Sequence, residues 1–195
     1  MRKRPAAATP VAWIVIALWV PYALLNTLFP GPLLSYGLGL LIAVIALGLL
    51  WGAGVSPRAC FLALAPPSRQ GLALLALLSA FIPAVLLLGH GQPLSWLDDL
   101  VYAPASAVGQ ELFFRSALLV ALGRVWPGDA RLALVGQALA FALWHVRAFR
   151  VAPLAPAVGV FVVTFVAGLL WGMQVRRDRT VLYAVLQHAL FLTIQ

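Results

Sequence analysis

The chain has 195 residues, 64% of them hydrophobic and only 9% charged, with a mean hydropathy of +1.02 and a formal net charge of +8. Soluble domains average about 25% charged residues, so a single water-exposed globule is excluded. The basic residues are dispersed over short loops, which excludes a nucleic-acid footprint and points instead to anionic membrane lipid as a partner.

In chain order, Met1-Arg-Lys-Arg leads into an apolar run at 11–29 that is longer than a signal h-region and lacks a small-x-small cleavage site, so a retained first span is expected. Further runs follow at 31–52, 71–89, 103–123, 130–147, 152–174 and 180–194, with lengths suited to about 30 Å of hydrocarbon. The pattern predicts an all-α, polytopic transmembrane bundle of about seven spans, the last the shortest, forming one membrane domain over residues 1–195. The connection 53–70 carries Pro57, Pro66 and Pro67 and the lone Cys60, for which an inert role is expected. Residues 90–102 read as an interfacial segment, with Trp96, Leu97, Leu100 and Val101 facing lipid and Asp98 and Asp99 facing water. His90 reads as a turn residue at its boundary.

With a cytosolic N-terminus, Arg2, Lys3, Arg4, Arg58, Arg69, Arg124, Arg131, Arg176, Arg177 and Arg179 all fall on the cytosolic side, ten of the 13 basic residues. Arg147 and Arg150 fall outside, and Arg115 lies within a span. This is the positive-inside pattern.

Few polar residues lie within the spans. Glu111 is the only glutamate of the chain, and a charge at the centre of a membrane helix costs about 2.5 to 3.5 kcal/mol on insertion scales, so Glu111 marks a candidate functional site. Pro104 opens the same helix, where its missing N–H costs nothing. Glu111 and Arg115 are four residues apart and share a face, whereas Gln110 points about 100° away from Glu111. His145 ends the fifth run one turn after Phe141, and His188 lies in the seventh. Counted at 1.5 Å per residue from the outer helix ends, Glu111 lies about 12 Å deep, His145 about 5 Å and His188 about 10 Å. A carboxylate, two imidazoles and an amide converging in the outer half would form hydrolytic machinery, with groups to activate water, share protons and hold an oxyanion. Other readings stay open: a Glu–Arg pair that only lowers its own burial cost, a metal-dependent hydrolase liganded by Glu111, His145 and His188, or a non-catalytic scaffold or immunity-like protein.

Gln110-Glu-Leu-Phe-Phe-Arg115, Phe141-Ala-Leu-Trp-His145 and the late His188 resemble, in order and approximate spacing, the three motifs of the CPBP intramembrane proteases, the group of type II CAAX prenyl endopeptidases and Abi proteins. The resemblance covers residues 104–192, the motif-bearing core. It implies an all-helical, glutamate-type peptidase without a cofactor, in which the first motif glutamate and His145 activate water and His188, with a polar residue four positions on, supports the oxyanion. The expected product is a bacterial-type inner-membrane endopeptidase acting on a membrane-anchored protein, such as the C-terminal sorting anchor of an exported one. Two positions depart from the pattern. Leu192 replaces the polar residue after His188, and Gln110 replaces the first glutamate, where an amide cannot act as a general base. Three explanations of Gln110 are open: an isosteric Glu-to-Gln change that silences the enzyme, transfer of the base to Glu111, or a protease homologue without activity.

Overall fold

The computed structural model describes residues 8–28, 32–73, 75–77, 97 and 101–193. Most of the expected third span, 71–89, lies outside the described residues, as do His90, Trp96, Asp98, Asp99 and the first basic cluster, so nothing bears on those expectations. Helices occupy the other six runs. Among the described residues, four stretches are long and apolar enough to cross a membrane, Pro10–Leu28, Ala103–Val125, Ala130–Val151 and Leu154–Asp178, alongside shorter apolar stretches at Tyr36–Gly52 and Leu182–Leu192. The protein is an all-α helical membrane bundle.

The first span is two helices, α1 (Ala8–Ala17) and α2 (Trp19–Leu28), and Pro21 accounts for the break. Its ring crowds the carbonyl four residues back, at Ala17, where α1 stops. Helix α3 (Pro32–Gly52) ends in a Schellman turn: Gly54 adopts φ +80°, its N–H donates to Trp51 O at 2.8 Å, and the Val55 N–H donates to Leu50 O at 2.9 Å.

Helix α4 (Ala103–Val125) is the axis of the bundle and is mostly buried, unlike the lipid-facing first span. Its middle, Leu112–Leu118, widens into π-helical turns, closed by the Leu119 N–H to Phe114 O. Such turns insert an extra residue into the ladder and recur at functional sites. Here the widening follows Glu111 directly and carries Arg115. α3 crosses α4 closely: a Cβ on Gly109 would sit 3.3 Å from Leu40 N. Small residues of this kind let membrane helices approach backbone to backbone.

Helix α5 (Ala130–Trp144) starts at Asp129, whose Oδ1 accepts the N–H groups of Arg131 and Leu132, each at 2.9 Å. After a turn at His145–Arg147 and the short α6 (Ala148–Val151), the chain returns along α7 (Leu154–Asp178), then α8 (Leu182–Thr193). α5 and α7 meet where a Cβ on Gly168 would lie 3.0 Å from Ala138 Cα, and the Gln137 amide donates to Gly168 O at 2.7 Å. α8 packs on the first half of α4. The turns bearing Arg124, Arg176 and Arg179 meet at one end of the bundle, beside residues 59–61, and Arg177 bonds Gln70 there. α5 rises about 21 Å from that end to His145.

Candidate active site

Arg115 and Glu111 are both fully buried, one turn apart, with Arg115 Nε 3.2 Å from Glu111 Oε2. The guanidinium also lies over aromatic rings, its carbon 4.0 Å from the Phe141 centroid and 5.4 Å from that of Trp171. Cation–π attraction strengthens where water is excluded, so these rings stabilise the arginine in the place of hydration. The other carboxylate oxygen, Oε1, accepts the Nδ1–H of His188 at 2.8 Å. Glu111 therefore bridges the α4 arginine and the α8 histidine, and the depths expected for Glu111 and His188 agree with the contact.

His188 is oriented from a second direction. Its ring stacks on Trp171 at 4.7 Å with 25° between planes, and the Trp171 Nε1–H donates to Gln187 Oε1 at 2.9 Å. With Nδ1 donating to a carboxylate, the neutral ring keeps its lone pair on Nε2. His145 reaches the same tautomer by another route. It sits just past the end of α5, and its Nδ1–H donates to the Phe141 carbonyl at 2.9 Å, which again leaves Nε2 as the lone-pair nitrogen. The α5 terminus is itself held by the first span: Asn26 donates to Trp144 O at 2.9 Å and the Trp19 indole to Ala140 O at 3.0 Å.

The Phe141 ring contacts both imidazoles, 4.9 Å from His145 and 5.8 Å from His188, centroid to centroid. Both line one cavity of about 270 Å³ between α5, α7 and α8, whose other walls include Val163, Ala167, Leu170 and Leu192. Thr164 also lines it, but its hydroxyl bonds carbonyls of its own helix, Val160 O at 2.8 Å and Phe161 O at 3.1 Å. The ring nitrogens are thus the polar groups this cavity presents. A polar residue at position 192 would face the same space.

Gln110 lies elsewhere. It is buried, its amide nitrogen donates to Ser106 Oγ at 2.8 Å, its Oε1 has no partner among the described residues, and it is not among the residues lining the cavity. The alternative metal set is not assembled: among the described residues no group of three His, Cys, Asp or Glu side chains is placed to hold an ion. Sequence reasoning missed Trp171, Asn26 and Ser106. Only Ser106 left a local signal, four residues before Gln110.

The profile of a known family, type II CAAX prenyl endopeptidase Rce1-like, matches residues 92–194, more than half of the chain and the part that holds Gln110, Glu111, Arg115, His145 and His188. Neither the curated proteins nor the solved structures contain a match to it. This chain belongs to the Rce1-like family of type II CAAX prenyl endopeptidases.

Proposed function

We propose that this protein is an active glutamate-type intramembrane endopeptidase in which Glu111 and His188 form the pair that activates water. The contact of 2.8 Å between Glu111 Oε1 and His188 Nδ1, beside a cavity shared with His145, carries this reading. Water in the cavity gives a proton to His188 Nε2 as its oxygen attacks the scissile carbonyl, and Glu111 holds the ring in the required tautomer and stabilises the imidazolium that forms. The same Nε2 then returns the proton to the leaving amine. His145 Nε2, an acceptor on the same cavity, takes a hydrogen bond from the attacking water and orients it. Arg115 fixes the carboxylate, and no metal or other cofactor is required. Gln110 contributes an amide and no base.

The substrate we infer is a membrane-anchored protein cut at its C-terminal anchor. The family's name points to C-terminal processing. The arginine bias supports a cytosolic N-terminus in a bacterial inner membrane, which would set the His145 end toward the outer face and favour an exported substrate over a cytosolic prenylated one.

The deciding comparison is between the chain as it stands and Gln110→Glu, each reconstituted with candidate anchored substrates. Cleavage rates within a few-fold of one another are expected. A gain of about 10² or more on introducing the carboxylate would move the base to position 110 and overturn the assignment to Glu111.

A further inference from the structure

The end of the bundle remote from the histidines holds a second, larger cavity of about 500 Å³. That volume falls within the range of about 300 to 1,000 Å³ common for small-molecule sites. Three separate turns build it. Phe61 comes from the turn after α3, Gly128 from the turn between α4 and α5, and Arg179 from the turn after α7. All three adopt positive φ, at 60°, 103° and 59°. Phe61 and Arg179 are the non-glycine residues with positive φ among those described, and both face this one cavity. Left-handed backbone at a side-chain-bearing residue is unfavourable, and glycine is the usual solution at a helix end such as position 179. Strain of this kind concentrates at ligand clamps. The turns are also latched together, by the Val181 N–H to Phe61 O at 2.8 Å and a bridge between Leu62 and Thr180.

The charge lining the cavity is of one sign. Arg124, Arg176 and Arg179 face it, no acidic side chain lines it, and no ion pair to these three occurs among the described residues. The carboxylates nearest in sequence are committed elsewhere: Asp129 Oδ1 caps α5, and buried Asp178 Oδ1 accepts the Ser68 N–H at 3.2 Å. Arg176 donates to Ala130 O at 2.6 Å, which leaves Arg124 and Arg179, of these three, without a hydrogen-bond or ion-pair partner among the described residues. The rest of the wall is apolar, with Leu119 and Val120 toward the bundle and half-buried Trp126 at the rim. Indole at the rim and arginine within suit the headgroup level of a bilayer.

We propose that this cavity is a binding site for the phosphate of an anionic phospholipid headgroup, held by Arg124 and Arg179 with the glycerol and upper acyl carbons against Leu119, Val120 and Trp126. A soluble phosphate would meet the same arginines but leave the apolar wall unused. The site is separate from the histidine cavity and does not depend on how that cavity works.

Native mass spectrometry of the full-length protein in detergent tests the proposal, titrating phosphatidylglycerol, phosphatidylcholine and inorganic phosphate against the wild type, Arg124→Gln and Arg179→Gly. One retained phosphatidylglycerol is expected, in clear preference to phosphatidylcholine. Affinity should fall roughly fivefold in either single variant and about 25-fold in the double. Arg179→Gly also controls for folding, because glycine accepts φ near +60° without strain, so its melting temperature in lipid-free detergent should not fall. A stable Arg179→Gly protein that binds phosphatidylglycerol as the wild type does would overturn the proposal. So would equal retention of both lipids, or inorganic phosphate binding as tightly as the lipid.

Discussion

The two ends of the bundle hold cavities of opposite design. At one, Glu111 and Arg115 are buried and neutralise each other, and the described lining of the cavity is two imidazoles and mostly apolar walls. At the other, three arginines face the space and no carboxylate lines it among the described residues. A buried charge without a partner is expensive, so the interior site keeps its ions paired and offers imidazole nitrogens to the cavity. The interfacial site can leave cations unpaired because water and lipid headgroups lie within reach. In the two proposals the same residue type takes two roles: Arg115 positions the carboxylate assigned to catalysis, whereas Arg124 and Arg179 hold a lipid phosphate.

The largest effects should come from breaking the interior end. His188→Ala removes the ring that receives the proton, and cleavage should fall by about 10² to 10⁴-fold with little loss of helicity, measured as initial rate on an anchored substrate and by circular dichroism. Retained activity would shift the chemistry to His145. Glu111→Gln should lower the rate by a similar factor and also strand Arg115 as a buried cation. The stability cost is about 3 to 5 kcal/mol, read as a loss of melting temperature in detergent. Arg115→Met added to Glu111→Gln should recover much of that stability without recovering cleavage, because the unpaired charge goes but the carboxylate does not return. A double variant no more stable than Glu111→Gln would show that the pair is not the source of the cost. Next in size is Leu192→Asn, which places an amide in the histidine cavity. If that amide reaches the oxyanion, cleavage should rise, by up to the 10²-fold that one such donor supplies.

These contrasts were only partly readable from the sequence. The helices and the Glu111–Arg115 pair were legible because both follow from local periodicity. The π-helical turns after Glu111 were not, since they depend on how α4 packs between α3, α7 and α8. Glu111 and His188 were brought together by depth, 77 residues apart, whereas the turn of Gln110 to Ser106 left only the four-residue spacing as a signal. The Trp171 ring that stacks on His188 and faces Arg115 sits in an apolar run where one more aromatic carries no signal. The arginines of the far end were legible as topology, and their enclosure of a cavity was not, because that rests on three turns meeting in space.

The smallest expected effect sharpens the comparison most. Thr164 carries the one hydroxyl among the described residues lining the cavity, yet it is engaged by Val160 O and Phe161 O of its own helix, as the Trp171 indole is by Gln187. What it shows the cavity is its methyl group. Thr164→Val keeps that shape, and the carbonyls it releases already accept within the α7 ladder, so kcat/KM should stay within about twofold and stability within about 0.5 kcal/mol. A larger loss of kcat with KM unchanged would mean that the hydroxyl swings onto the substrate in the transition state. The interior cavity would then own a third polar group, and its contrast with the arginine-lined end would rest on charge alone.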